Sequence, residues 1–388
     1  MNMLRTNIIY LFSVVTICCS YNYVSAQPPD DQIVISPQIH PDKTVTFRYM
    51  APSARNVMLS SQFEKQASAM KKDSSGIWSV TIGPVKPDIY SYYFIADGIQ
   101  VMDPANVDYF PNERFKASLI DIPGDSALIH SKKNVPHGTV TYEYYPSFGF
   151  ITGSLVVYTP PDYEKNTTSL YPVLYLLPGT TDTEETWFKV GKVNLILDNL
   201  IAENKARSMI IVMPNGNVEA TIAEQTGRPK PADPADRGSP EAIQRSISFQ
   251  NDLINNIIPY IEKNYRVVSN RYGRAIGGFS RGGGQALRTG FGNMDMFSWI
   301  CCFSAYLTDK EMESTYSNIW EDSGRTNELL NLLWVSVGNQ DFLYSQTREF
   351  MDFLTEKNIN YKSLITPGGH TWMNSRTFLA ETAQLLFQ

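Results

Sequence analysis

The chain has 388 residues, 43% of them hydrophobic, which is length and apolar content enough for two packed units. Its net charge of −6 comes with no basic block, which argues against nucleic acid as a partner. The four cysteines and four histidines show no metal-ligand spacing, so neither a metal nor another cofactor is expected.

Arg5 precedes an apolar run from Ile8 to Cys18, and Val24-Ser25-Ala26 follows as a small-residue cleavage site. This pattern predicts a signal peptide over 1–26, because the apolar run is too short to span a bilayer. The mature chain is then expected to begin near Gln27 and to work outside the cytoplasm, secreted or periplasmic, with no membrane span.

Residues 27–121 carry short runs at 44–49, 56–59, 77–82 and 90–94 that alternate or are rich in β-branched and aromatic residues. Each run is bounded by Pro, Gly, Asp or Ser, which predicts a small β-sandwich. Trp78, Tyr90 and Tyr92 alternate as core residues would. Residues 122–140 have Pro, Gly, Ser and two lysines without periodicity and read as a linker.

From 141 to 388 apolar strands alternate with helices. Strands are expected at 154–158, 171–177 and 208–213 and helices at 195–205 and 249–265, the latter with Leu253, Ile254, Ile257, Ile258 and Ile261 on one side. A polar, Pro-rich insertion at 218–240 follows a strand and reads as a loop, either a lid over a ligand or a plain surface segment. Beyond 290 come strands at 298–303, 332–337 and 361–366 and helices at 347–357 and 376–387. Strands apolar throughout predict a mostly parallel sheet covered on both faces. The adjacent Cys301 and Cys302 then point to opposite faces as buried hydrophobes rather than forming a disulfide.

The segment 271–290 interrupts this alternation with chemistry. Ala275-Ile276 leads through Gly277, Gly278 and Phe279 to Ser280, and Arg281-Gly282 opens a helical run. The spacing Gly278-x-Ser280-x-Gly282 is that of a nucleophile elbow, a strand-turn-helix that presents a serine at its apex. A serine hydroxyl needs a base, and His370 is the one histidine C-terminal to it, on a loop between a strand and a helix. The acids between them include Asp295, Asp309, Glu313, Asp322, Asp341 and Asp352. Asp341 follows the strand 332–337 through Gly338-Asn339-Gln340 and is the expected third member. Oxyanion donors are expected from the amides of Arg281 and Thr180, the latter in Pro178-Gly179-Thr180-Thr181, where Pro178 has no N–H to offer. Trp187, Tyr306, Phe342 and Trp372 are aromatic candidates for the wall of a substrate pocket.

Two resemblances sharpen these expectations. FRYMAPSARNVML, GIWSV, KPDIYSYYFIADG and DPAN resemble the immunoglobulin-like module at the N-terminus of isoamylases and glycogen-branching enzymes, which is classed among carbohydrate-binding modules. That implies either a sugar-binding domain or one that merely packs on the catalytic unit. GSLVVYTPPDY, YPVLYLLPG, FQNDLINNIIPYIEKNYRV, GGFSRGGGQAL, SVGNQDFLY and GGHTW resemble the first family of carbohydrate esterases, which includes feruloyl and acetyl xylan esterases and is related to trilactone-siderophore esterases.

This second resemblance implies an α/β-hydrolase fold and gives Ser280, Asp341 and His370 the roles of nucleophile, acid and base. The sequence departs from the family pattern where His-Gly-Gly is replaced by Pro178-Gly179-Thr180 and where Arg281 stands in place of Met. The expected function is a secreted serine esterase acting on hydroxycinnamoyl esters of plant polysaccharide. Acetyl xylan esterase, siderophore-trilactone esterase and a non-catalytic glycan-binding scaffold remain as alternatives.

Overall fold

The computed structural model describes residues 33–229 and 240–388. The expected signal peptide and the Pro-rich end of the insertion lie outside the described residues. Among the described residues no helix is long and apolar enough to cross a membrane.

The front part is built of antiparallel strands in two sheets. Gln38–Ile39, Val45–Met50, Ile77–Ile82 and Lys71–Lys72 form one sheet; Ser68–Ala69, Val57–Ser61, Asp88–Ala96 and Ile99–Val101 form the other, with Ser118–Ile122 also pairing to Asp88–Ala96. Alternate residues, among them Val45, Phe47, Val57, Leu59, Tyr92, Phe94 and Ile122, fill one core. Trp78, Tyr90 and Tyr92 belong to it, and each satisfies its polar tip internally: Trp78 donates to the Ala51 carbonyl at 2.9 Å, Tyr90 to the Lys86 carbonyl at 3.0 Å and Tyr92 to Asp103 at 2.8 Å.

The second part is an α/β unit around an eight-stranded mixed sheet. Its order is Thr139–Pro146, Thr152–Thr159, Ile210–Pro214, Val173–Leu177, Arg274–Phe279, Trp299–Phe303, Leu332–Gly338 and Lys362–Thr366. The first two strands join antiparallel and the rest are parallel. Every residue of the central strands is buried, because helices cover both faces. Successive residues divide between two apolar clusters, with Cys302 in one and Cys301 in the other, both as free thiols.

Three local differences from the sequence reading have physical causes. The 139–140 end of the expected linker belongs to the edge strand Thr139–Pro146, whose single covered face leaves no continuous apolar run to see. The expected helix 249–265 starts at Pro240 and passes through a π-turn at Leu253–Ile257, where the Ile258 amide donates to the Leu253 carbonyl. Pro259 has no N–H to continue the α ladder, and the slack appears just before it. Residues 218–226 of the insertion form a helix, Val218–Thr226, closed by Gly227 at φ 70°.

Besides the front core, the two parts share a second one. Ile89, Phe110, Ala117 and Leu119 of the front part pack in one cluster with Val156, Leu174, Trp187 and Phe279 of the α/β unit. Arg376, fully buried on the last helix Trp372–Ala383, ion-pairs with Asp88 and donates to the Val190 carbonyl at 2.7 Å.

Candidate active site

Ser280 ends the strand Arg274–Phe279 and caps the helix Arg281–Gly292 with φ 56° and ψ −117°. A non-glycine residue in that region carries strain of about 1–3 kcal/mol and persists only when its surroundings enforce it. Here they do: the Ser280 amide donates to the Phe303 carbonyl at 2.8 Å, and its own carbonyl accepts from Gly284 at 3.0 Å. The flanking glycines are sterically required. A Cβ at Gly278 would sit 2.5 Å from the Gly282 carbonyl carbon, and one at Gly282 would sit 2.5 Å from the Leu177 carbonyl oxygen. Ser280 is 4% exposed, a tighter setting than a freely projecting hydroxyl.

Asp341 and His370, the candidate acid and base, meet through their loops. Asn339 donates to the Thr366 carbonyl at 2.8 Å and Gln340 to the Gly368 carbonyl at 2.9 Å, so the segments after two neighbouring strands are laced together. Gly338 allows the approach, since a Cβ there would lie 2.3 Å from the Gly368 oxygen. The His370 Nδ1–H consequently faces the Asp341 carboxylate, at 3.0 Å from Oδ1 and 2.9 Å from Oδ2, and the Leu343 amide donates to Oδ1 at 2.8 Å. Burial alone would raise the Asp341 carboxyl, but the bonds from His370 and Leu343 outweigh it and hold it below the ordinary carboxylate range.

With Nδ1 engaged, Nε2 is the nitrogen left to exchange a proton. The imidazole contacts two rings at a tilt, with centroids 4.6 Å from Phe279 and 4.5 Å from Phe342. Phe279 immediately precedes Ser280, which brings the imidazole to the elbow. Among the described residues no hydrogen bond joins the Ser280 hydroxyl to His370, a bond that often tightens only when substrate binds.

The loop Pro178–Asp182 abuts the elbow, because Leu177 pairs in register with Gly278. Thr180 is exposed, and among the described residues its amide donates to no backbone carbonyl. The amide of Arg281 opens the helix, where the first-turn N–H groups point outward and the dipole is positive.

The four aromatic candidates separate. Trp187 is fully buried, donates to the Leu177 carbonyl at 2.8 Å and packs edge-on to Trp372 at 4.7 Å. Trp372 is 8% exposed and touches Phe279 at 5.4 Å. Both therefore form the floor beneath the elbow rather than an open wall. Tyr306 is half-buried against the core, while Phe342 is 68% exposed beside His370.

Sequence reasoning missed Asp182. It is 5% exposed, and burial pushes its carboxyl up to about 7 against the hydrogen bond from Asn112 and the nearby charge of Arg281. Glu184 was missed too; it accepts from Ser154 at 2.7 Å and from Asn215 at 2.9 Å beside the same loop. One acid among several in the run TDTEE offers no signal of which is buried.

Comparison with known proteins gives a consistent picture. Residues 153–382, more than half of the chain, match the family model “Putative esterase”. The chain is 30% identical over 256 residues to an endo-1,4-beta-xylanase/feruloyl esterase of Xylanibacter ruminicola, a match covering 64% of this chain and 33% of that protein. It thus spans about a third of the length of that relative. Among solved structures it is similar to a ferulic acid esterase of Anaeromyces mucronatus, with TM-score 0.52 and 23% identity over 66% of this chain and 92% of the other. It is also similar to the enterobactin esterase of Shigella flexneri, with TM-score 0.59 and 15% identity over 89% of this chain and 93% of the other.

Proposed function

The chain belongs to this esterase family and is a carboxylic ester hydrolase; from that premise we propose that it is a serine esterase removing ferulate or a related hydroxycinnamate from plant cell-wall polysaccharide. The observation that carries the serine mechanism is the Asp341–His370 pair, its imidazole packed at a tilt against Phe279, which immediately precedes the strained Ser280. The acyl preference draws support from the feruloyl esterase named in the Xylanibacter relative and from the exposed Phe342 ring beside His370, a flat surface for an aromatic acid. The reading includes export after removal of residues 1–26, which the N-terminal sequence of the mature protein would test.

In this mechanism His370 Nε2 takes the proton from the Ser280 hydroxyl as its oxygen attacks the ester carbonyl. Asp341 holds the imidazole in the Nδ1–H tautomer and steadies the imidazolium. The amides of Arg281 and Thr180 receive the oxyanion. Collapse of the tetrahedral intermediate breaks the bond to the sugar oxygen, which leaves with the proton from His370. Water, deprotonated by the same nitrogen, then attacks the acyl-enzyme and releases the acid, restoring the serine.

The test is turnover on methyl ferulate, feruloylated arabinoxylan and acetylated xylan, with Ser280→Ala as control. Expected are higher kcat/KM on the feruloyl esters and a loss of several orders of magnitude in the variant. Preference for acetylated xylan would replace the acyl assignment, and undiminished turnover in Ser280→Ala would sink the serine mechanism. A second reading, cleavage of a siderophore trilactone, is favoured by one observation: the likeness to enterobactin esterase covers 89% of the chain and so takes in front-part residues. Including a catecholate trilactone among the substrates separates the two.

A further inference from the structure

The front part touches the candidate oxyanion loop directly. Asn112, in the segment between the strands Ile99–Val101 and Ser118–Ile122, bridges antiparallel to Asp182 and donates from Nδ2 to Asp182 Oδ1 at 3.0 Å. Glu113 donates from its amide to the Thr181 carbonyl at 2.8 Å, and Thr186 donates to the Pro111 carbonyl at 2.9 Å. Asn112 has no freedom to point elsewhere. Its Oδ1 already accepts from the amides of Arg114 at 2.9 Å and Phe115 at 3.3 Å, which aims Nδ2 at the carboxyl.

Asp182 in turn braces the loop from within. Its amide closes the turn onto the Gly179 carbonyl at 3.3 Å, and Oδ2 lies so close above Gly179 that a Cβ there would be 2.7 Å away. Thr181 is held at φ 63° between these contacts. The residue left at the crest of the turn is Thr180. On the other side the carboxyl feels Arg281, the residue after the candidate nucleophile.

Packing alone does not account for this arrangement. Phe110, Ala117 and Leu119 already supply apolar contact between the front part and the α/β unit, whereas a carboxyl that is 5% exposed is costly to bury. Such groups concentrate where geometry serves chemistry.

We propose that Asn112, acting through Asp182, positions the turn that presents the Thr180 amide to the ester oxygen, so that the front part completes the oxyanion site. Asn112 and Asp182 are positioning residues in this scheme, and it rests on the serine-esterase reading above. A misplaced donor stabilises the transition state less while leaving ground-state binding nearly intact, so the effect falls on kcat.

The experiment uses the full chain with 4-nitrophenyl acetate, an ester too small to need polysaccharide contacts. Asn112→Ala and the isosteric Asn112→Asp are compared with wild type, with Ser280→Ala, and with Phe47→Leu, which loosens the front core where Phe47 packs on Phe63 and Tyr92 rather than at Asn112. Expected is a fall in kcat of about tenfold to a hundredfold in both Asn112 variants with KM within about twofold. Phe47→Leu is expected to lower the melting temperature while keeping kcat.

The proposal is overturned if either folded Asn112 variant keeps kcat within about twofold of wild type while Ser280→Ala is inactive, or if only KM changes. It is equally overturned if Phe47→Leu loses kcat in step with its melting temperature, since loosening of the front part would then suffice. Turnover surviving in Ser280→Ala would overturn the serine reading itself, and the positioning scheme with it.

Discussion

Gly278 and Gly282 set how closely the elbow strand and its helix approach, and both are filled on their Cβ side by backbone atoms that no rotamer change can move. Gly278→Ala is therefore expected to cost about 1–3 kcal/mol and to lower esterase turnover by displacing Ser280. Urea unfolding checks the first part, and an unchanged midpoint would count against the packing described. Asp182 yields a pH signature. Its folded value, about 7, lies above the ordinary 3.8, so the native state retains a proton that the unfolded chain releases. Its contribution to stability is then fully present below the unfolded value and declines as pH rises from about 4 to about 7. Asp182→Asn removes that decline. The melting temperature of the variant relative to wild type should rise between pH 5 and pH 8, and a pH-independent difference would contradict it. Ser280, Asp341 and His370, the proposed nucleophile, acid and base, could be picked out in the sequence because each follows a run readable as a strand, and the structure brings Asp341 to His370. Asn112 could not, because its partner is 70 positions away and nothing in either neighbourhood marks the pair.

At the scale of elements, the last helix does more than cover the sheet. Arg376 is 1% exposed and carries an ion pair to Asp88 on a front strand. Arg376→Ala removes the cation and leaves the Asp88 carboxylate without that partner, at a cost of about 3–5 kcal/mol, whereas Arg376→Met keeps the volume and should cost less. Guanidinium unfolding midpoints for the two variants check this order, and equal midpoints would mean that packing of the Arg376 stem adds nothing beyond the unpaired Asp88 carboxylate. Element identity was largely legible, since continuous apolar runs bounded by turn residues mark strands buried on both faces. Two features were hidden. The edge strand Thr139–Pro146 has one exposed face and a charged residue, Glu143, within it. The π-turn at Leu253–Ile257 depends on how the backbone absorbs Pro259, which helical periodicity does not encode.

For the whole molecule, the shared cluster of Ile89, Phe110, Ala117 and Leu119 with the α/β core makes the front part and the hydrolase unit interdependent. Calorimetry on the full chain should show one cooperative transition rather than two. Two well-separated transitions would mean that the shared cluster and the Asp88–Arg376 pair contribute little coupling.

The sequence by itself determined which residue types stand at the strand ends and in what order: a serine between glycines, then an acid, then a histidine, after a β-rich front part. Those are properties of short windows, where turn geometry and hydrophobic period act over a few residues. Only the tertiary structure decided that Trp187 and Trp372 lie under the elbow while Phe342 is exposed, and that a front-part asparagine holds a buried acid of the neighbouring loop. Burial and hydrogen-bond partnership are set by segments distant in the chain, and a residue's own neighbours carry no record of them.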